Sequence, residues 1–109
     1  MADYFKSLDS APTFSLAKGT KTDLFTGARL FVGLNCFEPG QSQPVHTHAA
    51  ADKFYFVVSG KARMTVAETT QEVSPGTLVW APAAVPHGVV EALERTVLLV
   101  AISPPPDRR

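Results

Sequence analysis

The sequence predicts an all-β sandwich or barrel. Runs rich in β-branched and aromatic residues recur along the chain. Nine prolines and seven glycines break it at short intervals. Nowhere does a stretch of roughly ten to twelve residues keep the 3.6-residue period of an amphipathic helix. Residues 1–20 are weakly patterned and read as an N-terminal arm carrying a short strand at Thr13–Leu16. Leu30–Phe37 is the first strong strand. Phe54–Val58 and Lys61–Ala67 follow, and Ser59-Gly60 between them is expected to close a tight hairpin. In Lys61–Ala67, Ala62, Met64 and Val66 alternate with Lys61, Arg63 and Thr65, a period of two. Thr77–Ala81 is launched by the Pro75-Gly76 turn, and His87–Glu91 is held off by Pro82 and Pro86. Thr96–Ile102 is the last strand. Residues 103–109 contain Pro104-Pro105-Pro106, which cannot extend a central strand, and read as a surface tail. The whole chain, 1–109, is expected to be one domain.

Composition excludes several function classes. Acidic and basic residues balance at ten each, so the formal net charge is zero. Without a basic stripe there is nothing to neutralise phosphates, which argues against nucleic-acid binding. No apolar run approaches the roughly 18 residues of a membrane span. Met1 to Lys6 does not look like a secretory leader, so a cytoplasmic location is expected. The absence of net charge leaves self-association unopposed. Cys36 is the single cysteine and reads as a small buried hydrophobe.

The three histidines carry the chemistry. His46-Thr47-His48 places two imidazoles on one face of a strand, and His87 arrives from a separate element. Imidazole is the commonest protein ligand for first-row transition metals. No nucleophile is left with a free histidine, so Ser or Cys hydrolysis is not expected.

Around these histidines the chain resembles the cupin superfamily, as a small single-domain member. The first cupin signature is matched by Gly40, five residues, His46-Thr47-His48, four residues, Lys53, six residues and Gly60. The second is matched by Gly76, five residues, Pro82, and then His87 on spacing. Three positions depart. Lys53 stands where the family has Glu, Ala84 where it has Gly, and Glu91 where it has Asn. The resemblance implies a double-stranded β-helix (jelly-roll) barrel holding one divalent metal. His46, His48 and His87 would be ligands, and Fe, Mn, Ni, Cu and Zn all suit imidazole. It also implies a homodimer, for which residues 1–20 could supply an exchanged strand.

Lys53 leaves the fourth ligand open among three readings. Asp52 could stand in if a bulge turned it inward. Three histidines could suffice with water, Gln41 or Gln43. The metal could be lost, with Lys53 paired to Glu91 or Asp52. The Lys53 stem is expected on the barrel wall with its amine in solvent. If it points inward instead, it could bind an anionic substrate or serve as an acid or base. Tyr55 is the second catalytic candidate. Tyr55, Val57, Met64, Trp80, Phe31 and Phe37 are expected to line the interior, with Phe54, Phe56 and Val58 on the opposite face. Arg29 and Arg63 are expected to be solvated. The resulting expectation is a metal-dependent dioxygenase, isomerase or lyase acting on a small organic molecule. The alternative is a non-catalytic binding or structural module.

Overall fold

The computed structural model describes residues 3–106, with nine strands and no helix among them. These are β1 (Thr20–Thr26), β2 (Phe31–Phe37), β3 (Gln43–His46), β4 (Asp52–Ser59), β5 (Ala62–Val66), β6 (Thr69–Val73), β7 (Leu78–Ala81), β8 (His87–Ala92) and β9 (Thr96–Ser103). They form two antiparallel sheets, ordered β1-β2-β9-β4-β7 and β3-β8-β5-β6. Consecutive strands cross repeatedly between the sheets, as in a double-stranded β-helix.

The main core lies between the sheets. Tyr55 and Val57 of β4, Met64 of β5, Val89 of β8 and Leu98 and Val100 of β9 meet there, with Phe31 and Phe37. A second cluster, Leu34, Cys36 and Val97, sits on the outer side of the five-stranded sheet. Leu8, Ala11 and Phe14 of the arm cover it, so Cys36 is a buried hydrophobe. The Arg95 guanidinium stacks 3.7 Å from the Phe14 ring centroid and pairs with Glu38 at 3.1 Å, fastening the arm.

Four expectations are corrected. Ser59-Gly60 is not a hairpin, because β4 pairs with β7 and β9 whereas β5 pairs with β6 and β8. Gly60, at φ +87°, instead turns the corner from one sheet to the other. A Cβ there would collide with Arg95 O and Thr96, so the corner is pressed onto the start of β9. The hairpin is β5–β6, closed between Val66 and Thr69 with Ala67 at φ 53°. Thr13–Leu16 forms no strand; Thr13 is tied to Thr20 and Thr22 through side-chain bonds. Trp80 is 58% exposed, because its cross-strand partner is Phe54, on the outer face. The inward residues of β4 are Lys53, Tyr55 and Val57. Lys53 is therefore only 4% exposed, not solvated.

Candidate metal centre

His46 ends β3 and His87 begins β8, directly opposite each other in the register. His48 lies two residues beyond the end of β3, in the connection to β4. Pro82-Ala83-Ala84-Val85-Pro86 delivers His87, and this loop is fastened once to the His48 connection and once to the start of β4. Ala84 N–H donates to His48 O at 2.7 Å, and Ala83 N–H donates to Asp52 Oδ1 at 2.9 Å. Ala84 adopts φ +67°, the left-handed conformation for which glycine is the usual choice.

One ring nitrogen from each histidine falls within 4.8 Å of the others. His46 Nδ1 lies 2.9 Å from Pro44 O, and His87 Nδ1 lies 3.0 Å from Val85 O. Donation to a carbonyl fixes the proton on Nδ1 and leaves Nε2 with a bare lone pair, as in metal-ligating histidines. Nε2 of His48 and of His87 are buried and have no hydrogen-bond partner. An unpartnered buried nitrogen is costly unless something occupies it. All three imidazoles are held neutral. Burial pushes His87 down to about 4, helped by the charge of Lys53 and opposed by its bond to Val85. Burial also lowers His46 and His48, with Lys53 and Lys21 acting in the same direction. Neutral imidazoles with converging lone pairs suit a divalent metal.

The other candidates divide. Lys53 is inside the barrel, its amine 4.6 Å from the Tyr55 ring centroid and without a hydrogen-bond or ion-pair partner among the described residues. Burial, with Lys21 adding repulsion, lowers it from 10.5 to about 8. Tyr55 donates its hydroxyl to Gln43 Oε1 at 3.0 Å, and its ring centroid is 6.2 Å from that of His87. Burial pushes its phenol well above the usual range, so it stays neutral. Asp52 is not brought to the cluster. Its carboxylate is exposed and spent on the Ala83 amide. Gln41 is also elsewhere, bonded to Glu38 N and Ser15 O. Nor does Lys53 pair with Glu91, which faces Arg63 at 3.4 Å.

A cavity of about 600 Å³, bounded by Gln43 and Pro44 of β3, Asn35 and Phe37 of β2, and Lys21 of β1, adjoins the triad only through neighbours: Pro44 O bonds His46 and Gln43 bonds Tyr55, while none of the three histidines lines it. Lys21 carries no signal in the sequence. It stands opposite Asn35 on an edge strand whose residues alternate only weakly in polarity, which leaves nothing to find it by.

A model of the cupin domain matches residues 33–103. An uncharacterized protein of Streptomyces coelicolor is 40% identical over 74 residues, which are 68% of this chain and 70% of that one. The structure of TT1209 from Thermus thermophilus is 34% identical, covers 94% of this chain and 98% of its own, and has a TM-score of 0.88. KdgF from Halomonas sp. shares the fold at a TM-score of 0.85 over 98% of this chain and 97% of its own, with 21% identity. The matched span contains both histidine elements and strands β3 to β9, and the chain belongs to the cupin family.

Proposed function

We propose that the chain binds one divalent transition metal through His46, His48 and His87 and uses it to hold and chemically change a small organic molecule. The observation that carries this is the pair of buried, unpartnered Nε2 atoms, on His48 and His87, within the three-histidine cluster. When bound, a metal held by three neutral ligands would supply Lewis acidity, or oxygen activation if it is redox-active, at open positions. The chain's own residues do the rest. The Pro44 and Val85 carbonyls orient two imidazoles. Tyr55 stays a neutral donor and fixes the Gln43 side chain at the mouth of the cavity. Lys53 contributes a cation next to the reacting space. A dioxygenase, an isomerase and a lyase would each fit this set. The test is elemental analysis of untagged protein beside a His46→Ala/His48→Ala double variant. Near-stoichiometric metal in the wild type, lost in the variant, supports the reading. Absence of metal after reconstitution refutes it.

A non-catalytic ligand-binding module is the second reading. It is favoured by one observation: among the described residues, no carboxylate lines the cavity to serve as a general acid or base. Either reading is compatible with a homodimer. Its support is an outer sheet face bearing Leu30, Phe54, Leu78 and Trp80, of which Leu78 is 67% exposed, beside the edge strand β7. Light scattering should give twice the chain mass for the wild type and the monomer mass for Trp80→Glu. A monomeric wild type removes the dimer.

A further inference from the structure

The electrostatics of the site are one-sided. Every charged group that shifts the three imidazoles and Lys53 is a lysine or another imidazole. The described residues lining the adjoining cavity include Lys18 and Lys21 and no Asp or Glu. Yet the whole chain is neutral, with ten acidic and ten basic side chains. The nearby acids are committed elsewhere: Asp52 to the Ala83 amide and Glu91 to Arg63. A divalent ion on the triad would add two more positive charges beside Lys53.

We propose that the site recognises a small organic carboxylate, whose anionic group lies between the metal and the Lys53 amine. This rests on the metal-binding reading above and names the ligand class for it. The position of Lys53 calls for an anion. Lys53 is a buried cation on β4 with no hydrogen-bond or ion-pair partner among the described residues, on the inner face toward the histidines of the other sheet, so a ligand charge between them satisfies both. Its single ammonium is a compact point charge that pairs with any small anionic oxygen group, so inorganic phosphate is the competitor the test must separate from a carboxylate. Lys21, at the rim of the neighbouring cavity, draws the anion in. The lysine thus inverts the charge that a glutamate would place here. A glutamate would complete the ion's ligand set and repel an anion. The lysine leaves the ligand set open and attracts one.

The test uses cobalt(II)-loaded protein and reads the visible ligand-field spectrum, with cobalt content measured on every sample. Benzoate, acetate and oxalate are titrated against benzamide, the uncharged isostere of benzoate, and against inorganic phosphate. The carboxylates should change the spectrum, and benzamide and phosphate should not. Lys53→Met should keep its cobalt and weaken carboxylate binding at least about tenfold. Lys21→Met, a change at an exposed position, should weaken it a few-fold and make it less salt-dependent. If Lys53→Met binds the carboxylates as tightly as the wild type, or if benzamide or phosphate binds as well as benzoate, the inference is overturned. Bound cobalt with no carboxylate response overturns it alone and leaves the metal reading standing. Failure of the wild type to take up cobalt overturns both.

Discussion

Replacing Lys53 with methionine should stabilise the metal-free protein at neutral pH. The Lys53 amine is buried on the barrel wall and lowered from 10.5 to about 8. At about 1.4 kcal/mol per pH unit, holding the ammonium inside costs about 3 kcal/mol at pH 7. Methionine fills a similar volume without a charge. It gives up the cation–π contact with Tyr55, worth about 0.5–2 kcal/mol. The net gain is therefore about 1–3 kcal/mol, or roughly 5–15 °C in Tm for a domain of this size. The pH dependence is the sharper signature. The unfolded chain keeps this proton up to about 10.5, whereas the folded chain releases it near 8. Between those values the unfolded state binds more protons, so wild-type stability gains a rising contribution with pH. The advantage of Lys53→Met should be full below pH 8 and shrink toward pH 10. Urea unfolding of chelator-treated wild type and variant at pH 7, 8, 9 and 10 measures it. A variant that is less stable at pH 7, or a gap that stays constant with pH, would refute the argument.

Three further outcomes follow from the geometry. Acid should destabilise the metal-free protein as pH falls from about 6.5 toward 4, because the unfolded chain protonates its histidines before the folded one does; urea midpoints at pH 7 and 4.5 check this, and a flat profile counts against the buried imidazoles. Gly60→Ala should lower stability by several kcal/mol, because it combines a positive φ with a collision against Arg95 and Thr96; a wild-type melting curve would contradict the corner between the sheets. Ala84→Gly should hold or raise stability by up to about 1 kcal/mol, since the backbone is already left-handed there; a loss above that in thermal unfolding would contradict it.

What the sequence reveals depends on where a residue's signal comes from. The strands around Phe31, Tyr55, Met64 and Leu98 are legible because one or both faces are buried and apolar. The edge strands β1 and β6 are not. Thr20–Thr26 and Thr69–Val73 are mostly polar and are strands because a neighbour supplies the hydrogen bonds. β3 carries Pro44, which an edge position tolerates. Ser59-Gly60 misleads because a two-residue hairpin and a corner between sheets present the same turn residues; the approach of β9 decides between them. The triad is legible from spacing. The inward face of Lys53 is legible too, since it shares the parity of Tyr55 and Val57; what misleads is the usual habit of a lysine stem to carry its amine out to solvent.

The triad belongs to β3, β8 and the loop after β3, all on one sheet, whereas Lys53 and Tyr55 come from β4 of the other. The space between them is thus a seam between two half-shells joined by chain crossings such as the one at Gly60. A change that wedges the shells apart would move the lysine away from the histidines while leaving the three imidazoles in register. The position of the histidine cluster is therefore set within one sheet, and that of Lys53 relative to it by the gap between the two.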